Sequence, residues 1–217
     1  MDGRAEAVAE PAGGAVAGAG PVRGRVYDVI PAGDPTWRRH DYYMRLALVV
    51  ESGAKCLGST VGAVAVRDNR VLGMGYNGTP SGYPNCTDVE RGCRRCALRF
   101  DAAEGDLTGR LYDICLCVHA EQNVLLTAAR FGVGLADAWV YTTVQPCFNC
   151  LKEMMQIGIR GIAFLRPWQA SHPDYAWVEA EYGRLTDHYR GSGRVFAQLE
   201  SAGPPTPLVS VEIGGPA

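Results

Sequence analysis

The chain has 217 residues, with 21 Lys and Arg against 23 Asp and Glu, and its formal net charge at pH 7 is -2. This length suffices for one domain whose core needs no disulfides. The slightly acidic balance argues against a protein that coats nucleic acid, and no run of about 18 apolar residues marks a membrane span.

Both ends of the chain are rich in small residues and proline. Twelve of the first twenty residues are Ala or Gly, and such a stretch buries little side chain. We therefore expect residues 1–34 to form a disordered extension and the Pro- and Gly-rich residues 203–217 to form a loose tail. A single domain is expected over residues 35–202. The start of the chain lacks the apolar segment of a signal peptide, which favours a cytoplasmic location.

Helical and strand patterns alternate between these ends. Tyr42 and Leu46 lie on the apolar face of an amphipathic helix, and the turn Asp68-Asn69 separates two β-rich runs that predict a hairpin. The predicted elements are a helix over 41–52, strands over 61–66 and 70–76, a helix over 119–130, a strand over 136–143, a helix over about 146–158, a strand over 161–165 and a helix over 174–199. Strands separated by helices after an initial hairpin predict an α/β fold, a three-layer α/β/α sandwich with a mixed sheet.

One imidazole and two thiols have the spacing of a zinc site. His119, Cys147 and Cys150 supply three ligands, which leaves the fourth tetrahedral position of a zinc ion open for water. Glu121 lies two residues from His119 and could take a proton from that water without binding the metal. The order H-x-E…P-C-x-x-C is typical of zinc nucleobase deaminases. A structural metal site is the alternative, but such a site usually has a fourth protein ligand.

The predicted helices explain where these ligands lie. A helix that starts near Pro146 puts Cys147 and Cys150 in its first turn, where free N–H groups and the helix dipole favour thiolates. His119 stands at the start of its own predicted helix. Two helix starts that face each other across a sheet edge could hold one metal ion.

A second group of cysteines lies in a Gly- and Pro-rich insertion over residues 78–117. Its members are Cys86, Cys93, Cys96 and Cys115. Four thiolates from a stretch with little core would form a closed structural zinc site, in which metal affinity stabilises the fold. Buried free thiols are the alternative reading, and Cys117 could replace one of the four. Two Cys-x-x-Cys pairs favour metal binding in a reducing compartment over a disulfide framework.

The chain resembles the cytidine and deoxycytidylate deaminase superfamily, and within it the bacterial deoxycytidylate (dCMP) deaminase group. The resemblance covers about residues 37–167. It is carried by Val61-Gly62-Ala63-Val64 after Cys56, by Gly75-Tyr76-Asn77-Gly78-Thr79-Pro80-Ser81-Gly82, by His119-Ala120-Glu121-Gln122-Asn123, by Tyr141-Thr142-Thr143 before Pro146-Cys147, and by Ile157-Gly158-Ile159.

This resemblance implies hydrolytic deamination of dCMP to dUMP and ammonia, with one catalytic zinc. It implies that Asn77 contacts the substrate near the base and sugar, and that backbone around Ala120 accepts a hydrogen bond from the amino group of the base. It also implies a homo-oligomer, commonly a hexamer, with dCTP as activator and dTTP as inhibitor. Three of the insertion's cysteines, Cys86, Cys93 and Cys115, match extra cysteines of the bacterial branch.

The chain departs from the bacterial group just after Cys56. Members of that group often carry basic residues there, whereas this chain has Gly58, Ser59 and Thr60. If such residues hold the phosphate, this chain must use others or accept another substrate.

Several alternatives to dCMP deamination remain open at this stage. They are a different cytosine nucleoside or nucleotide, a purine base, and a catalytically silent nucleotide-binding homologue. The last is disfavoured because a pure binder needs no proton shuttle at Glu121. Polynucleotide editing is disfavoured by the acidic net charge. Asn77 could also serve as a turn residue that tolerates positive φ.

Overall fold

A six-stranded mixed sheet is the centre of the fold. The computed structural model describes residues 27–90, 92, 93, 96, 115–168 and 176–200, with only the backbone for 176–178. The strands are β1 Asp28–Ile30, β2 Gly62–Arg67, β3 Arg70–Tyr76, β4 Trp139–Val144, β5 Gly161–Arg166 and β6 Val195–Leu199. The helices are α1 Trp37–Glu51, α2 Ala120–Phe131, α3 Phe148–Ile157 and α4 Ala176–Gly191.

The strand order across the sheet is β1-β6-β5-β4-β2-β3. Strands β1, β6, β5 and β4 pair in parallel, whereas β2 is antiparallel to both β4 and β3. The carboxyl ends of β3, β4 and β5 therefore meet at one edge of the sheet, together with the start of β2. Helix α1 packs on one face, and α2, α3 and α4 lie on the other. The predicted three-layer α/β/α sandwich with its hairpin is confirmed.

Two glycines let helices approach the sheet near that edge. A Cβ atom on Gly62 would lie 2.2 Å from the carbonyl oxygen of Ala47 in α1. A Cβ atom on Gly75 would lie 2.6 Å from the carbonyl oxygen of Ala120 in α2. Only glycine fits backbones this close, and the contacts bring the end of α1 and the start of α2 to the same edge.

The N-terminal boundary predicted from the sequence is wrong for residues 28–30. This segment forms β1 and pairs with β6, and the ring of Tyr27 packs edge-on against Phe164 at 5.0 Å. Trp37 Nε1 donates to the Glu200 carbonyl at 3.1 Å. A three-residue strand is too short to show a periodic pattern. It is stabilised by a partner far along the chain, which no local pattern reveals. Residues 1–26 and 203–217 lie outside the described residues.

The helix predicted over 174–199 is also wrong in its last part. Helix α4 ends at Gly191, Gly193 has φ 77°, and the chain then continues as β6. Pairing of β6 with both β5 and β1 outweighs the local helical tendency.

The other elements agree with the prediction to within a few residues. Asp68 and Asn69 both adopt positive φ in the hairpin turn, and Gly132 and Gly158 end α2 and α3 in the left-handed conformation. Across the described ranges, no helix combines the length and apolar character needed to cross a membrane.

Candidate active site

The start of α2 fixes the position of His119. His119 is the residue that caps this helix. Its backbone N–H donates to Gln122 Oε1 at 3.1 Å, and Gln122 Nε2 donates to Glu153 Oε1 in α3 at 3.1 Å. Gln122 thus ties the first turn of α2 to α3 and sets the distance between the two helix starts.

The start of α3 brings two thiols to the same imidazole. Cys147 caps α3 and accepts from the N–H of Cys150 at 3.5 Å. His119 Nδ1 lies 3.5 Å from Cys147 Sγ and 3.4 Å from Cys150 Sγ. Neighbouring ligand atoms of a tetrahedral zinc lie roughly 3.5 to 3.8 Å apart, as its bond lengths require. The three side chains predicted as ligands therefore fit zinc in type and spacing.

The trio carries a thiolate at Cys147, whereas the hydrogen bond with Cys147 and burial raise the pKa of Cys150 well above its usual value. Hydrogen bonds from Cys150 and His119 lower the pKa of Cys147 to about 4. Burial disfavours the charged form of His119, but its hydrogen bond with Cys147 and the nearby negative charges outweigh burial and raise its pKa to about 9. An anionic sulfur is the form in which cysteine binds zinc.

Glu121 lies in the same first turn of α2 and is buried. Thr142 Oγ1 in β4 donates to Glu121 Oε1 at 3.2 Å. Burial, together with the charge of Cys147, raises the pKa of Glu121 to about 7. A carboxyl group in this range can both accept and return a proton at neutral pH.

Asn77, predicted to contact substrate, is buried just after β3 and holds a neighbouring segment. Its Oδ1 accepts from the Val61 N–H at 2.8 Å, and its Nδ2 donates to the Ser59 carbonyl at 2.6 Å. Asn77 does not have positive φ, so the turn role considered from the sequence is wrong. An amide has further hydrogen-bonding capacity at both atoms, and Asn77 can fix this segment and still meet a ligand.

Ala120, the other predicted substrate contact, is the first residue of α2 and is fully buried. Its carbonyl oxygen faces Gly75 of β3. The groups left without helical partners at a helix start are N–H donors. The N–H of Ala120 thus has no partner within its own helix, and the contact of Ala120 with the base of the substrate, implied by the resemblance, stays a prediction.

The insertion's cysteines form a second buried group beside the start of α2. The Sγ atoms of Cys86, Cys93 and Cys96 lie within 4.8 Å of one another, and Cys115 packs against them. Cys117 Sγ lies 3.6 Å from Cys86 Sγ. A hydrogen bond from Cys117 lowers the pKa of Cys56 to about 5. The structure thus brings three of the four predicted cysteines within ligand distance of one another, and Cys115, Cys56 and Cys117 pack beside them.

Sequence reasoning missed the roles of several side chains at this site. The spacing of Gln122, three residues after His119, resembles a capping box and was a usable signal. The contacts of Thr142 and Cys56 join distant parts of the chain, so no local pattern marks them. Arg166 and Glu51 are also in contact although they lie 115 positions apart, so no local pattern marks this pair either.

Comparisons with known proteins agree with this geometry. Residues 37–166 match the family described as the cytidine and deoxycytidylate deaminase zinc-binding region. The deoxycytidylate deaminase of Mycobacterium phage D29 is 33% identical over 132 residues, which are 60% of this chain and 94% of the phage protein.

A longer relative matches only in part. The deoxycytidylate deaminase of Schizosaccharomyces pombe is 39% identical over 162 residues, which are 75% of this chain and 47% of that protein. The chain thus spans about half the length of this relative and less of the Saccharomyces cerevisiae protein, of which 41% is covered.

A crystal structure of dCMP deaminase from the cyanophage S-TIM5, in complex with dCMP and dUMP, has the same fold. It superimposes with a TM-score of 0.52 at 22% identity, covering 75% of this chain and 97% of the phage chain.

Proposed function

Because the chain belongs to the cytidine and deoxycytidylate deaminase family, we propose that it is a zinc-dependent deaminase that hydrolyses dCMP to dUMP and ammonia. One observation carries the proposal. A zinc-type trio of one imidazole and two thiols lies at two helix starts, and a buried carboxyl group with a pKa of about 7 shares the first turn of α2.

The chemistry divides between a metal and the protein. His119, Cys147 and Cys150 would hold the zinc, which when bound acts as a Lewis acid and lowers the pKa of water to about 7. Glu121 takes a proton from the attacking water and passes it to N3 of the pyrimidine. It then takes the remaining proton of the hydroxyl group added at C4 and delivers it to the amine, which leaves as ammonia while C4=O forms. Thr142 Oγ1 lies 3.2 Å from Oε1 of that carboxyl group and helps to fix its position.

The proposal predicts a preference for the 5′-monophosphate over the nucleoside. We expect kcat/KM for dCMP to exceed that for deoxycytidine by about tenfold to a hundredfold, since one charge-assisted phosphate contact contributes roughly 1.5–3 kcal/mol. Steady-state release of ammonia from each compound, measured on zinc-loaded protein, gives both values. Equal values, or a higher value for deoxycytidine, would contradict the choice of substrate.

A panel of cytosine and purine nucleosides and nucleotides in the same assay covers the alternatives. Faster turnover of another cytosine compound or of a purine would reassign the substrate while keeping the chemistry. Absence of ammonia release from every compound, with zinc bound, would identify a silent nucleotide-binding homologue.

Assembly into a homo-oligomer is also part of the proposal. Strand β3 is the last strand in the order of the sheet. It exposes Val71, Met74 and Tyr76, whose side chains a second copy could cover. Light scattering at micromolar concentration is expected to give a multiple of the chain mass, with a hexamer as the favoured number. A mass equal to that of one chain would contradict assembly into a homo-oligomer.

Saturation curves for dCMP with added dCTP or dTTP test the regulation expected from the resemblance.

We further propose a second, structural zinc within the cysteine group and a cytoplasmic location. All eight cysteines are free of disulfides, which suits a reducing compartment. Fractionation of cells that express the protein at native level tests the location.

A further inference from the structure

A guanidinium group lies where the sequence lacks a basic residue. Residues 58–60 carry no charge, but Arg166, the last residue of β5, reaches this segment from two strands away. Its Nη2 donates to the Thr60 carbonyl at 3.2 Å and to Thr143 Oγ1 at 3.2 Å. The same nitrogen lies 2.6 Å from Glu51 Oε1 at the end of α1.

Arg166 stands beside the candidate active site. Thr143, which contacts Arg166, follows directly on Thr142, which contacts Glu121. Adjacent residues of a strand point to opposite faces of the sheet. Arg166 and Glu121 therefore lie on opposite faces, at the same end of β4. Asn77 binds the residues on either side of Thr60. The predicted sugar contact and the guanidinium group therefore hold one short segment from two directions.

Arg166 keeps donors free for a ligand. Its side chain is 52% exposed, whereas the Glu51 side chain is 10% exposed. All of its contacts to described residues use Nη2, so Nε and Nη1 have no partner among the residues that the structure describes. Glu51 thus fixes the guanidinium group from the buried side through Nη2. Nε and Nη1 lie on different edges of the group, and each can donate a separate charge-assisted hydrogen bond to a phosphate oxygen.

We propose that Arg166 binds the 5′-phosphate of the substrate in place of the basic residues missing at 58–60. This inference rests on the proposed function, because it assigns the phosphate contact of the same site. The fixed position of the side chain lowers the entropy cost of binding, and the phosphate is the part of a mononucleotide that lies beyond the sugar from the reacting base.

Arg166 also neutralises a buried carboxylate, and that structural role has to be separated from binding. Arg166→Gln leaves Glu51 buried without its partner, which destabilises folds. The double variant E51Q/R166Q removes both charges and retains an amide oxygen to accept from Thr60 Oγ1, which now donates to Glu51 at 2.8 Å. Arg184→Gln is the matched control, since Arg184 is exposed and pairs only with Glu181 on its own helix in the described part of the chain.

Calorimetry with the product and its nucleoside tests the proposal without turnover. We expect zinc-loaded wild-type protein to bind dUMP more tightly than deoxyuridine. In R166Q and in E51Q/R166Q, this preference should fall by about tenfold to a hundredfold, while the Kd for deoxyuridine stays within about twofold. Arg184→Gln should bind both compounds as the wild type does.

The outcomes separate this inference from the proposed function. Equal loss of affinity for dUMP and deoxyuridine in the double variant, an unchanged preference, or no preference in the wild type would overturn the role of Arg166. Wild-type protein that releases no ammonia from dCMP but shows an Arg166-dependent preference for dUMP would overturn the reaction and support the inference. Deamination of dCMP by protein whose preference for dUMP does not depend on Arg166 would support the reaction and overturn the inference.

Discussion

Glu121→Gln is expected to lower kcat for dCMP by about a hundredfold to ten-thousandfold while zinc content stays unchanged. The amide keeps the size of the side chain and can still contact Thr142, but it cannot carry a proton. Glu121→Ala should have the same effect on turnover. Ammonia release gives the rate, and elemental analysis of the purified protein gives the zinc content.

Variants of the ligands serve as the opposite control. His119→Ala and Cys147→Ala each remove one of the three proposed ligands, so catalytic zinc and turnover should be lost together. The remaining activity should follow the zinc content of each preparation. Wild-type turnover in Glu121→Gln, or loss of zinc from it, would contradict the role of Glu121 as a shuttle that does not bind metal.

Cys93→Ser is expected to lower zinc content by one ion per chain and to destabilise the fold by several kcal/mol. Metal binding contributes directly to folding free energy where the site does not exist in the unfolded chain. The Sγ atoms of Cys86 and Cys96 lie within 4.8 Å of Cys93 Sγ, so Cys93→Ser removes one ligand of the proposed site. Denaturant unfolding of the wild type and the variant, each at a known zinc content, measures the difference.

Cys147→Ala provides the reciprocal case for this experiment. It should lose the catalytic ion and keep the structural one, whereas Cys93→Ser should keep the catalytic ion and deaminate at a comparable rate at low temperature. One zinc per chain in carefully reduced wild-type protein would refute the second site. If two ions per chain are found instead, serial replacement of Cys56, Cys115 and Cys117 identifies which thiol completes the second site.

The elements that follow from local pattern could be predicted from the sequence. The hairpin turn at Asp68 and Asn69, the start of α2 at His119 and the end of α3 at Gly158 each depend on neighbouring residues, and the structure has them there. Strands β1 and β6 could not be predicted in this way. Each is a short segment that pairs with a distant strand, so the tertiary contact decides its conformation.

Part of the candidate site could also be predicted from the sequence, and part could not. The zinc ligands and Glu121 lie in compact motifs at helix starts, where residue type and spacing alone indicate metal chemistry. The supporting contacts of Thr142 and Arg166 join segments that lie far apart in sequence.

Strand β1 limits how far the protein can be shortened for crystallisation or expression. A chain cut at residue 34, the boundary that composition favours, would lose the ladder between β1 and β6. It would also lose the contact of Tyr27 with Phe164 and one of the two acidic partners of Arg190, since that guanidinium pairs with Asp28 as well as Asp187. The uncovered edge of β6 would then be open to pairing between molecules. Shortened versions should therefore begin no later than Tyr27.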